Sequence, residues 1–167
     1  PPLVDDIDAT RQKLESWFSA RRDTQVKITG LKIPEGTGMS NVTLLFDIHW
    51  QDNGETRTQS CVGRLQPEID KPVFPAYDLS LQYQVMDAVG KHSDVPVPTL
   101  LGLETERDLL GVQFYIMEFT AGRIPTDMPP YNMDGWMMHE TSEAQRATMW
   151  RSDVDTMARF IAEPVFS

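Results

Sequence analysis

Ile33-Pro34-Glu35-Gly36-Thr37-Gly38-Met39-Ser40-Asn41-Val42-Thr43-Leu44-Leu45-Phe46-Asp47-Ile48-His49-Trp50 is the stretch on which the fold of this chain turns. Its first half sets Gly36 and Gly38 beside Ser40 and Asn41, a turn whose small residues let several backbone N–H groups converge on an anion. Its second half is rich in β-branched and aromatic residues and predicts a strand. A Gly-x-Gly between strands serves equally as a plain hairpin turn or as a phosphate cradle, so the flanking sequence has to decide.

Upstream, Val26 to Ile33 predicts a short strand, with Gly30 marking a bulge. Before it, Asp6 to Ala20 carries Leu14, Trp17 and Phe18 at helical spacing, with Asp8 or Thr10 as the N-cap. Downstream, the strand Val42 to Trp50 ends at Asn53-Gly54, a strong hairpin signal, and Thr56 to Leu65 is the return strand. Pro67, Pro72 and Pro75 then interrupt any regular element and predict a surface loop. A helix follows over Asp78 to Val89, with Leu79, Tyr83, Met86 and Val89 on one face and Gly90 closing it.

Val95-Pro96-Val97-Pro98 leads, extended, into a second pair of strands. These are Thr99 to Glu104 and Val112 to Phe119, the latter apolar on both faces and so expected inside the sheet. Three prolines between Pro125 and Tyr131 predict a linker. Ser142 and Gln145 form a capping box for a helix from Glu143 to Ala162, with Trp150, Val154, Met157 and Ile161 on one stripe.

A chain of 167 residues can bury one core. The net charge of −10, with no basic stripe, argues against nucleic acid as a partner. A lone Cys61 excludes an internal disulfide and any cysteine-cluster metal site, which makes a reducing cytoplasm the expected compartment. No apolar run is long enough to cross a bilayer, so no membrane partner is expected. The start at Pro1 without a methionine and the stop at Ser167 suggest a segment of something longer.

Four motifs in order carry a family resemblance: Gly36-Thr37-Gly38-Met39-Ser40-Asn41-Val42-Thr43; Cys61-Val62-Gly63-Arg64; Val95-Pro96-Val97-Pro98; and Gly111 to Phe119 followed by Ala121-Gly122. Over about residues 5 to 160 the chain resembles the ATP-binding lobe of the kinase-like fold. Within that fold it is similar to the aminoglycoside phosphotransferase (APH) family, on the branch that resembles the kinase-like domain of some acyl-CoA dehydrogenases. The resemblance implies an α+β fold: a protein-kinase-like N-lobe, that is, a five-stranded antiparallel sheet with a packed helix. To this it adds an N-terminal helix and the first helices of a truncated C-lobe. The divisions would be an ATP-binding lobe over 1–120, a hinge or linker over 121–141 and the start of the C-lobe over 142–167.

Each motif then has an implied role. Gly36, Thr37, Gly38, Met39, Ser40 and Asn41 would cover the ATP phosphates, and Arg64, where kinases carry lysine, would hold the α- and β-phosphates. The position of the helix glutamate that pairs with this cation is Gln82, a neutral acceptor; Glu68, Asp70 and Asp78 are nearby carboxylates. Val62 and Met117 would wall the adenine, and the backbone from Glu118 and Phe119 to Thr120 would be the hinge that hydrogen-bonds it. Taken without the family, Arg64 reads as an exposed cation at a strand end, Gln82 as a polar helix shoulder, and Met117 and Phe119 as core.

The family's His-Gly-Asp catalytic loop does not occur in these residues. Asp153-Val154-Asp155 has the letters of its metal-binding motif but lies in a predicted helix, and His49, His92 and His139 are too dispersed to act together. No catalytic or metal-binding residue is therefore expected here, and the Mg²⁺ ligands would lie in the missing C-lobe. The implied activity is transfer of the ATP γ-phosphoryl group to a small-molecule hydroxyl by the intact enzyme, with this chain alone inactive. A non-catalytic module that binds a nucleotide or a partner is the alternative. Apolar surface meant for the other lobe predicts self-association.

Overall fold

The computed structural model describes residues 6–34, 42–67, 78–125 and 129–162. It divides into two compact units, Pro1–Asp87 with Pro98–Phe119, and Ala88–Val97 with Thr120–Ser167. The glycine loop at 35–41, the surface loop at 68–77 with Glu68 and Asp70, and linker residues 126–128 lie outside the described residues.

The first unit is a five-stranded antiparallel sheet in the order β1-β2-β3-β5-β4, built from β1 (Val26–Lys32), β2 (Val42–Asp52), β3 (Glu55–Leu65), β4 (Leu100–Glu104) and β5 (Phe114–Glu118). With helix α1 (Ile7–Arg22) before the sheet and α2 (Leu79–His92) between β3 and β4 in the chain, this is the expected α+β architecture, a five-stranded antiparallel sheet with helices. The β2–β3 hairpin turns on Asn53 and Gly54, with φ of 51° and 83°, the paired left-handed conformations that an Asn-Gly turn supplies. Gly30, at φ 65°, sits where the β1–β2 register shifts between Thr29 and Lys32, so the expected bulge is present. As expected from its apolar sequence, β5 is flanked on both sides, by β3 and β4.

The two faces of the sheet differ because strand side chains alternate. Leu44, Phe46, Ile48, Cys61, Leu65, Phe114 and Ile116 are buried on one face, in one cluster with Leu14, Trp17 and Phe18 of α1. Burial pushes the Cys61 thiol up to about 12, so it remains an inert apolar filler. The cap of α1 is Asp6, which accepts from the Ala9 N–H at 2.8 Å, in place of the expected Asp8 or Thr10. The helix begins before either of those residues: Asp8 pairs with Arg11 from the first turn, and Thr10 is buried.

α1 is clamped to β4. The Trp17 indole N–H donates to Glu104 Oε2 at 2.9 Å, and Arg21 lies 3.9 Å over the same ring and 3.5 Å from Glu104. The indole hydrogen bond, with Arg21 adding to it, holds the Glu104 carboxyl below its ordinary value of 4.5. A depressed carboxylate contributes stability that is complete above its unfolded value and is lost as pH falls through the folded one. Wild type should therefore lose more melting temperature than Glu104→Gln between pH 5 and pH 3, followed by circular dichroism; parallel curves would remove Glu104 from the clamp.

In the second unit, α3 (Trp136–His139) and α4 (Glu143–Ala162) follow the expected linker. Ser142 and Gln145 form the capping box: the Ser142 N–H donates to Gln145 Oε1 at 2.8 Å, and the Gln145 N–H to Ser142 Oγ at 3.3 Å. Arg123 pairs bidentately with Glu140 at 2.5 and 2.9 Å and stacks 4.4 Å over Trp136. On α4 the stripe of Trp150, Val154, Met157 and Ile161 is exposed.

One helix end needs correction. Gly90 does not close α2, which runs on to His92. A Cβ at Gly90 would stand 2.9 Å from Val97 Cγ2, so the glycine makes room for the returning extended segment.

Candidate functional site

The other face of the sheet carries three of the residues that the sequence singled out, Val62, Arg64 and Met117. Pairs across a hairpin lie equidistant from its turn, so Asn53-Gly54 puts Leu45 opposite Val62 and Thr43 opposite Arg64. On the far side of β3, Val62 pairs with Met117 and Arg64 with Tyr115. Two rows result. Leu45, Val62 and Met117 run across β2, β3 and β5, all half-buried, and Leu100 of β4 extends the row beside Met117. Thr43, Arg64 and Tyr115 form the next row, about 7 Å along the strands.

An apolar strip thus lies beside a cation at one end of the sheet. The glycine loop is tethered to that same end, because β2 begins at Val42, opposite Leu65, directly beside the Thr43–Arg64 pair. Gly36, Thr37, Gly38, Met39, Ser40 and Asn41 themselves fall outside the described residues.

The Arg64 guanidinium donates to Thr43 Oγ1 at 2.9 Å. Tyr115 is buried, which pushes its phenol pKa up, while the charge and hydrogen bond of Arg64 pull against that rise. From α2, Tyr83 meets the Tyr115 ring edge-on at 6.0 Å, and the Tyr115 hydroxyl donates to Met86 Sδ at 4.0 Å. Gln82 is exposed on the same helix. Asp78 serves as the cap of α2, accepting from the Leu81 N–H at 2.8 Å.

In the hinge segment, Glu118 and Phe119 are exposed. Their N–H groups are spent on the sheet, Glu118 donating to the Thr99 carbonyl at 2.8 Å and Phe119 to the Ser60 carbonyl at 2.9 Å. Of the backbone at these two residues, the carbonyls are the groups left to meet a ligand. Asp153 and Asp155 are exposed on α4, and among the described residues no three His, Cys, Asp or Glu gather to hold a metal ion. Among the same residues no helix is long and apolar enough to cross a membrane.

Sequence reasoning passed over Thr43, Leu45 and Tyr115 as site residues. The first two were within reach by counting back from the Asn53-Gly54 turn. Tyr115 was not, because the β3–β5 pairing joins strands separated by a long connection, from Leu65 to Phe114 by way of α2 and β4.

No family model matches the chain. Over 92 residues, 55% of its length, the chain is 35% identical to "Probable acyl-CoA dehydrogenase IBR3" of Arabidopsis thaliana, and it covers 11% of that protein. It is also similar to a solved structure from Ralstonia eutropha JMP134 named as that of a putative aminoglycoside phosphotransferase. That similarity is 30% in identity, with a TM-score of 0.42, and covers 67% of this chain and 28% of the other. The chain therefore spans only a small part of either relative. In sequence it is similar both to an aminoglycoside phosphotransferase-type protein and to an acyl-CoA dehydrogenase-type protein, the two relatives to which its motifs point.

Proposed function

We propose that this chain is the ATP-binding lobe of a small-molecule kinase, whose whole protein moves the γ-phosphoryl group of ATP to a substrate hydroxyl. The observation that carries the reading is the pair of rows on the sheet face opposite α1: the apolar Leu45, Val62 and Met117 beside Thr43, Arg64 and Tyr115. A flat, half-buried apolar strip suits a purine ring. A guanidinium one row away suits the oxygens of a phosphate chain, which its planar fork can grip in pairs. The tether of the glycine loop at the Arg64 end supports the same polarity, with base toward the hinge and phosphates toward the loop.

The nucleotide with its Mg²⁺ supplies the transferable phosphoryl group. This chain's part is to bind and orient: Val62 and Met117 against the ring, the carbonyls of Glu118 and Phe119 at its edge, Arg64 on the phosphates. Such positioning and charge neutralisation make up most of what a phosphoryl-transfer site needs. The acceptor is a hydroxyl compound whose contacts lie outside these rows.

Calorimetric titration of the chain with ATP tests the reading. Arg64→Ala should weaken ATP by about tenfold or more, the loss of one charged hydrogen-bonding group worth about 1.5–3 kcal/mol. Adenosine, which lacks phosphates, should bind both forms alike. Equal ATP affinity in the two forms would take Arg64 out of the phosphate site.

A further inference from the structure

A guanidinium grips phosphate well only when its head is held in place, since the arginine stem otherwise loses about 2 kcal/mol of rotamer freedom on binding. The surroundings of Arg64 supply such a hold from two sides. On β2, Thr43 Oγ1 accepts from one terminal nitrogen at 2.9 Å. On β5, Tyr115 stands directly opposite Arg64 in the ladder and is 4% exposed.

Chemistry sets the direction of the Arg64–Tyr115 contact: a guanidinium only donates, so the phenol oxygen accepts from Arg64, and the hydroxyl hydrogen can turn toward Met86 Sδ, 4.0 Å away. Burial raises the phenol pKa, so the group stays a neutral O–H across the physiological range. Tyr83, edge-on at 6.0 Å, keeps the ring from swinging away. Gln82, one residue earlier on the same helix, is exposed.

We propose that Tyr115 and Thr43 are positioning residues that together aim the Arg64 guanidinium at the phosphate chain of the nucleotide. The inference rests on the ATP-site reading above. Both partners are neutral acceptors, so they orient the cation without cancelling its charge. Tyr115 in turn links Arg64 to α2 through Met86 and Tyr83, so the seat of the helix on the sheet is transmitted to the cation by packing and one hydrogen bond.

The test is titration of the full chain with ATP and with adenosine, for wild type, Arg64→Ala, Tyr115→Phe, Thr43→Val, Thr43→Ser and the double variant Arg64→Ala with Tyr115→Phe. Tyr115→Phe and Thr43→Val should each weaken ATP by about threefold to tenfold, the worth of a neutral hydrogen bond, and leave adenosine unchanged. Thr43→Ser, which keeps the hydroxyl, should restore wild-type affinity. Once Arg64 is alanine, Tyr115→Phe should have no further effect.

Three results would overturn the proposal while the ATP site stands. Tyr115→Phe and Thr43→Val could match wild type where Arg64→Ala does not. They could weaken ATP and adenosine alike, or Tyr115→Phe could act undiminished without Arg64; the last two mark a purely structural role. An Arg64→Ala form equal to wild type, or a wild type that binds no ATP, would instead overturn the site itself and this inference with it. Tyr115→Phe keeps the ring and Thr43 lies on the half-buried face, so both variants are expected to fold, which a melting curve checks.

Discussion

Gly102→Val is expected to lower the stability of the first unit by about 3 kcal/mol or more, read as a large fall in the urea midpoint. Two effects combine at this position. Its φ is +154°, a conformation that side-chain-bearing residues rarely adopt. A Cβ there would stand 2.7 Å from Trp17 Cη2 and 3.2 Å from Cζ2, well inside contact distance. Trp17 cannot give way cheaply, because its indole N–H is bonded to Glu104, Arg21 lies over one face and the ring meets Phe18 at 4.9 Å and Phe114 at 5.4 Å. The β4–β5 register also shifts between Leu100 and Gly102, so the glycine sits at an irregularity of the edge strand. An unchanged midpoint for Gly102→Val would mean that the strand can slide off the indole.

Trp17→Ala should be at least as damaging, at about 3–5 kcal/mol, because it empties the middle of the cluster between α1 and the sheet. It also leaves Glu104, a mostly covered carboxylate, without its indole donor. Trp17→Phe should fall between, since it keeps an aromatic ring and loses the hydrogen bond. The two sites are in contact, so their effects should not add. With Trp17 removed, Gly102→Ala should keep only its backbone strain and lose its steric part. Additive midpoints in the double variant would show that the 2.7 Å approach has no energetic weight.

Much of the architecture was legible before any coordinates. The 16-residue α1 and the 20-residue α4 follow from apolar period and capping chemistry, and α4 begins and ends where the capping box and the apolar stripe place it. The β2–β3 hairpin follows from Asn53-Gly54, which also fixes Thr43 beside Arg64 by counting. Errors fell where a local rule competed with a distant contact. Gly90 has the look of a helix stop, yet it serves to clear Val97. Asp8 is a good cap by type, but the apolar face of α1 starts early enough for Asp6 to take the role.

The candidate site divides in the same way. Arg64, Val62 and Met117 stand out from the sequence once their motifs are seen in order, because alternation alone puts Val62 and Arg64 on one face of β3. What surrounds Arg64 could not be read from the chain, because Tyr115 reaches it only through the pairing of β3 with β5. That pairing skips over α2 and β4, and neither turn chemistry nor periodicity encodes a register across so long a connection.

The sequence by itself determined the elements, the hairpin register, the glycine loop's attachment between β1 and β2, and the cation one turn of alternation from an apolar wall. These are short-range matters of dihedral preference and side-chain period. Only the tertiary structure decided which strand lies beside β3, which face α1 covers, that Gly102 must yield to Trp17, and that the N–H groups of Glu118 and Phe119 are spent on the sheet. Those depend on packing and hydrogen bonding between residues far apart in the chain, where the free energy of the whole core selects one pairing among several that the local sequence permits equally.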